Sequence, residues 1–130
     1  MAVGILLVGH DGAVAHYAPL VHRLLGRETL RIEHFELAFD LPLDTALPQA
    51  SAALRRADGG DGVLILTDVY GASPSNLAAR LVQLGTPARR VAGLSLPMLL
   101  RVCNYADQPL DELALTAVSG GKTGVVLDHA

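Results

Sequence analysis

The chain has 130 residues, 51% of them hydrophobic and 18% charged, and its formal net charge is −3. That composition, with a mean hydropathy of +0.38, supports a packed core and excludes a disordered chain. No basic block stands out to hold nucleic acid or an anionic membrane, and no apolar run approaches the roughly 18 residues of a membrane-spanning helix.

The elements alternate. Val3 to Val8 reads as a first strand, ending in Gly9-His10-Asp11-Gly12. Val14, Tyr17, Ala18, Val21, Leu24 and Leu25 then recur at helical spacing, and Gly26 is a natural stop. Arg31 to Leu37 alternates as a weaker strand, and Leu43 to Ala57 reads as a second helix ended by Asp58-Gly59-Gly60. Val63 to Leu66 is the clearest buried strand. A third helix is predicted from Pro74 to about Leu84, with Ser73 as its N-cap. Arg90 to Leu94 is a fourth strand and Pro97 opens a short helix. A fifth helix starts near Pro109 and shows Leu110, Leu113, Ala114, Ala117 and Val118 on one face. After Gly120-Gly121, Gly124 to Leu127 is a candidate last strand.

Strand alternating with helix implies an α/β fold: a three-layer sandwich with a mainly parallel four-stranded sheet and helices on both faces. No linker or repeat divides it, so residues 1–130 are expected to form one domain. The single cysteine, Cys103, excludes an internal disulfide and reads as a small core residue. The N-terminus lacks the basic segment and long apolar core of a signal peptide, so a cytoplasmic location is the expectation.

Ligands in such sheets gather beyond the carboxyl ends of the strands. His10 follows the first strand there, beside Gly9 and Gly12, which permit close backbone approach. A helix starting just after it would aim N–H groups at the region, an anion site. Neutral imidazole is a competent nucleophile near neutral pH. Asp68 follows the third strand directly, placed to accept a hydrogen bond from one imidazole nitrogen and leave the other reactive. Capping alone explains Ser73-Pro74; it does not explain Asp68 and Gly71.

Other signals fail. "GASPS" is not G-x-S-x-G, because Ser75 stands at the last glycine's place. "SGGKTG" lacks the first glycine of a phosphate-binding loop, where Thr116 stands. His16 and His22, six apart, suit no helical metal pair.

Four stretches together suggest a family: "ILLVGH", "GVLILTDVYGASPSNLAARL", "VAGLSLPMLL" and "DELALTAV". From about residue 2 to residue 127 the chain resembles the mannose-family enzyme IIA domain of the bacterial phosphoenolpyruvate-dependent phosphotransferase system. The resemblance implies a phosphohistidine carrier, charged by HPr and discharged to a IIB component that phosphorylates a sugar. His10 matches the phosphorylated histidine and Asp68 the aspartate that orients it. Gly71, Ala72 and Ser73 match the loop that holds the phosphoryl group. No cofactor or metal is implied. The resemblance also implies a homodimer exchanging a C-terminal strand, here Gly124 to Leu127.

Two residues depart from the family pattern. Asp11 stands where glycine usually follows the histidine, and Ser95 stands where asparagine is common. A carboxylate beside the acceptor favours imidazolium and repels incoming phosphate unless it points outward. Two other readings keep the fold and change its purpose: a regulatory IIA relay acting on a regulated protein, and a binding module that no longer transfers phosphate.

Overall fold

Strand and helix alternate from the start of the chain. β1 (Gly4–His10), β2 (Ile32–Leu37), β3 (Val63–Thr67) and β4 (Ala88–Ala92) form a four-stranded sheet in the order β2-β1-β3-β4. Every pairing is parallel. The helices are α1 (Tyr17–Leu25), α2 (Leu43–Ala57), α3 (Ser73–Val82), α4 (Leu96–Asn104) and α5 (Leu110–Thr123). This computed structural model describes residues 2–27 and 30–129. The expected three-layer α/β architecture is present.

Side chains alternate across each strand, so each central strand feeds two cores. Ile5, Leu7, Leu64 and Leu66 meet Val21 of α1, Leu99 and Val102 of α4 and Leu113 of α5 on one face. Leu6, Val8, Val63 and Ile65 meet Ala50 and Leu54 of α2 and Leu77 and Leu81 of α3 on the other. Burial on both faces is why β1 and β3 read as unbroken apolar runs. β2 lies at the edge, half-buried along most of its length, and alternates accordingly. Cys103 sits in the first core, as expected.

The strand order places β1 between β2 and β3, so the chain leaves β1 to one side and later resumes on the other. That reversal opens a crevice at the carboxyl ends of β1 and β3. His10 ends β1, and Asp68 follows β3.

Several boundaries differ from the sequence expectations. β1 runs to His10, which stays in register with Leu37. α1 begins only at Tyr17, so buried Val14 belongs to the connecting turn. β4 ends at Ala92, two residues early, because Gly93 takes φ +91° and its amide turns with that of Leu94 onto the Thr67 carbonyl. α5 continues through Gly120 and Gly121. A Cβ on Gly120 would stand 2.7 Å from Arg101 Cβ, and one on Gly121 2.8 Å from Met98 Cε. The two glycines are thus a close helix contact with α4, and packing overrides their low helix propensity. Gly124 to Leu127 is not a strand of this chain's sheet: α5 reaches Thr123, and Val125, Val126 and Leu127 are 84%, 77% and 78% exposed.

Candidate functional site

His10 and Asp68 meet at the crevice. Asp68 Oδ2 lies 2.7 Å from His10 Nδ1 and accepts the His10 amide at 2.9 Å, while Oδ1 accepts the Val69 amide at 2.9 Å. An ionised carboxylate only accepts hydrogen bonds, so the ring hydrogen belongs on Nδ1. In that tautomer the lone pair lies on Nε2. Burial works against the charged form of Asp68. The His10 amide, the His10 ring through its hydrogen bond and charge, and the Val69 amide together outweigh it, holding the carboxyl below its ordinary value.

The contact depends on Gly9. A Cβ there would lie 2.5 Å from Val14 Cγ1 and 3.2 Å from Asp68 Oδ2. The bare Cα spares Val14 a clash and leaves the aspartate its place at the end of β1.

The imidazole is 31% exposed. His10 follows Leu6 and Val8 in the strand alternation, so it faces the α2–α3 side. There it borders a cavity of about 410 Å³ shared with Leu37 to Pro42 and Ser73. The Phe39 ring stacks beside the imidazole, centroids 5.7 Å apart at 28°. Phe39 is itself 70% exposed.

The three residues expected to bind phosphate are placed differently from one another. Ser73 lines the cavity with His10. Gly71 turns the loop with φ +86°. The Ala72 amide is occupied by the Val69 carbonyl at 3.4 Å. Ala72, not Ser73, is the N-cap of α3, and it makes no side-chain cap bond. Ser73 is therefore the first helical residue, its hydroxyl released from capping. Pro74 has no N–H, and Asn76 is the first residue to bond back, to the Ala72 carbonyl. The Ser73 and Ser75 amides thus have no acceptor within the helix.

The turn after His10 does not supply the expected anion site. Its Gly12, Val14 and Ala15 amides all donate to the Glu36 carboxylate, at 3.1, 2.9 and 2.9 Å. The Val14 bond is the largest reason that Glu36 stays below its ordinary carboxylate range. Desolvation opposes it, while Ala15, Gly12 and the charge of His34 add to it. Asp11 is exposed, its backbone amide held by the Leu37 carbonyl.

Glu36 and Arg90 escape sequence reasoning. Glu36 is the penultimate residue of an alternating edge strand, and only the parallel register shows it opposite Gly9. Arg90 stands within β4, yet its guanidinium donates to the Ser75 carbonyl at 2.9 Å and to Ser75 Oγ at 3.3 Å. It also lies 5.5 Å from the centroid of the Tyr70 ring. Arg90 opens the strand expected from the sequence, Arg90 to Leu94, and its charge at that place was the available signal. Ser95 caps α4 by accepting the Met98 amide at 3.3 Å. Among the described residues no group of three potential ligands is placed to hold a metal, and no helix is long and apolar enough to cross a membrane.

The EIIA-man family model, described as "PTS system fructose IIA component", matches residues 4–117. The PTS system mannose-specific EIIAB component of Escherichia coli K12 is 29% identical over 127 residues, covering 96% of this chain and 39% of that protein. The same component of Shigella flexneri matches equally. The chain thus spans about two fifths of the length of these curated relatives. Among solved structures, the mannose/sorbose-specific IIA subunit of the phosphotransferase system from Enterococcus faecalis has a TM-score of 0.87 at 22% identity. That match covers 100% of this chain and 97% of the subunit. The PTS IIA protein associated with the fucose utilization operon of Streptococcus pneumoniae has a TM-score of 0.71 at 21% identity, covering 98% and 96%. At these identities the likeness is one of fold.

Proposed function

We propose a function from one premise: the chain belongs to the EIIA-man family of phosphotransferase-system IIA components. It relays a phosphoryl group through His10, taking it from HPr and giving it to a IIB component for sugar uptake. The observation that carries this reading is the 2.7 Å contact of His10 Nδ1 with Asp68 Oδ2. It aims the Nε2 lone pair outward from a ring that is held in place.

In the transfer, Nε2 attacks phosphorus in line. The bond between phosphorus and its carrier atom on HPr breaks, and its electron pair returns to that atom. No proton moves at Nε2. The hydrogen on Nδ1 stays against Asp68, whose negative charge offsets the positive charge gained by the phosphorylated ring. Discharge to IIB repeats these steps with His10 as the leaving imidazole.

Phosphoryl transfer asks mainly for positioning and charge stabilisation. The Ser73 hydroxyl, the amides at the mouth of α3 and the turn at Gly71 are the phosphoryl-holding groups of this reading. The helix dipole favours the anion there without a metal. The exposed Val125, Val126 and Leu127 support exchange of this segment in a homodimer.

The test is incubation with phosphoenolpyruvate, enzyme I and HPr, comparing wild type with His10→Ala. Acid-labile label is expected on wild type and not on the variant. Absence of label on wild type, with HPr itself phosphorylated, overturns the relay.

A further inference from the structure

The five amides that follow His10 are all engaged. Asp11 donates to the Leu37 carbonyl at 3.1 Å and Ala13 to the His10 carbonyl at 3.0 Å. Gly12, Val14 and Ala15 donate to the two oxygens of Glu36. Gly12 takes φ +85°, which bends this stretch back toward the end of β2. Successive amides converging on one point make an anion-binding concavity. Here the anion is a side chain of the neighbouring strand.

We propose that Glu36 is a positioning residue for phosphoryl transfer: it fills the amide nest behind His10, fixing the acceptor and reserving the α3 side of the crevice for the phosphoryl group. The inference rests on the reading of His10 as acceptor. Two amide clusters lie near this histidine in different ways: the turn at 12–15 follows it directly in the chain, and Ser73 at the mouth of α3 lines its cavity. An open nest on the β2 side would draw the phosphoryl oxygens away from Ser73 and away from in-line approach. A carboxylate in that nest supplies like charge, which turns a dianion toward the other cluster. It also ties Gly12 to Ala15 to the sheet. Because β1 continues directly into this turn, the His10 backbone is held from behind. Asp68 holds the ring from the other side.

Glu36→Ala empties the nest, and Glu36→Gln removes the charge while one oxygen can still accept two of the three amides. Three measurements are made: phosphoryl uptake from phosphorylated HPr, its inhibition by inorganic phosphate at millimolar concentration, and amide chemical shifts of Gly12, Val14 and Ala15 on phosphate addition without donor. Both variants are expected to take up label about ten- to a hundredfold more slowly than wild type, the scale of a small misplacement of a reacting group. Glu36→Ala is expected to show phosphate inhibition and shifts confined to those three amides; wild type is expected to show neither.

Wild-type rates in both variants overturn the inference. So does slow uptake without phosphate sensitivity in Glu36→Ala, which makes Glu36 only a structural tie. Wild type that takes no label overturns the acceptor reading itself, a result distinct from labelled wild type with unaffected variants.

Discussion

Gly9 faces Val14 and the Asp68 carboxylate with no room for a side chain: a Cβ would collide with Val14 Cγ1 at 2.5 Å and stand 3.2 Å from Asp68 Oδ2. Valine is stiff about χ1 and Val14 is buried, so the collision is relieved by moving the turn or the aspartate. Gly9→Ala is expected to lengthen the His10–Asp68 contact and lower stability by about 1–3 kcal/mol, the range for overpacking a core. Urea unfolding measures the second effect, and the ring ¹⁵N shifts of His10 report the first. Unchanged ring shifts would show that the glycine is not needed for the pair.

The two site carboxylates, Asp68 and Glu36, are both held below their ordinary values. A depressed carboxyl adds stability above its unfolded pKa, and that stability is lost as pH falls through the lower folded value. Wild-type stability is therefore expected to be flat in these terms above about pH 5 and to decline from about pH 4 downward. Glu36→Gln removes one of the two contributions. Its stability deficit against wild type is expected to shrink as pH falls from 6 to 3. A deficit that stays constant over that interval contradicts the assignment.

Phe39 stacks beside the imidazole yet is mostly open to solvent. Its removal costs the fold little but frees one side of the ring. Stacked ring pairs contribute about 0.5–1.5 kcal/mol beyond burial. Phe39→Ala is accordingly expected to slow phosphoryl uptake roughly two- to tenfold while the melting temperature falls by no more than about 5 °C. Rapid-quench labelling and calorimetry separate the two quantities. Equal rates would leave the stack without a role in transfer.

Gly120 and Gly121 give opposite expectations for the same substitution. Alanine is favoured over glycine in a helix by about 1 kcal/mol. At Gly120 the new methyl meets Arg101 Cβ and Cγ at 2.7 and 2.9 Å, close to the α4 backbone. At Gly121 its nearest neighbour is Met98 Cε, the far end of a flexible chain. Gly120→Ala is expected to lower the thermal midpoint, and Gly121→Ala to leave it unchanged or raise it. The reverse order would refute the packing of α5 on α4.

The order of elements was legible because each central strand is buried on both faces and each helix carries an apolar stripe. His10 and Asp68 were legible for a related reason: each stands where an apolar run meets the carboxyl edge. The rest depends on contacts between distant segments. Glu36 acts across a strand pairing whose register no local pattern states. Arg90 reaches Ser75 fifteen positions away through the fold. Ser73 has the chemistry of a cap and the position of a cap, yet the Gly71 turn moves the helix start by one residue. The glycines in α5 read as a stop because glycine ends helices on average. Only the proximity of Arg101 and Met98 turns them into a contact.

The crevice has Phe39 to Pro42 from the β2–α2 connection on one side and Ser73 from the β3–α3 connection on the other, with β1 between their strands. Neighbouring strands are spaced about 4.8 Å apart, so β2 and β3 stand roughly 9.6 Å from each other. The sheet therefore acts as a ruler for the opening: its backbone hydrogen bonds set the aperture around His10, and side chains only furnish its walls. Changes to the walls will alter rate and preference, whereas a change of gauge requires breaking β1 from a neighbour.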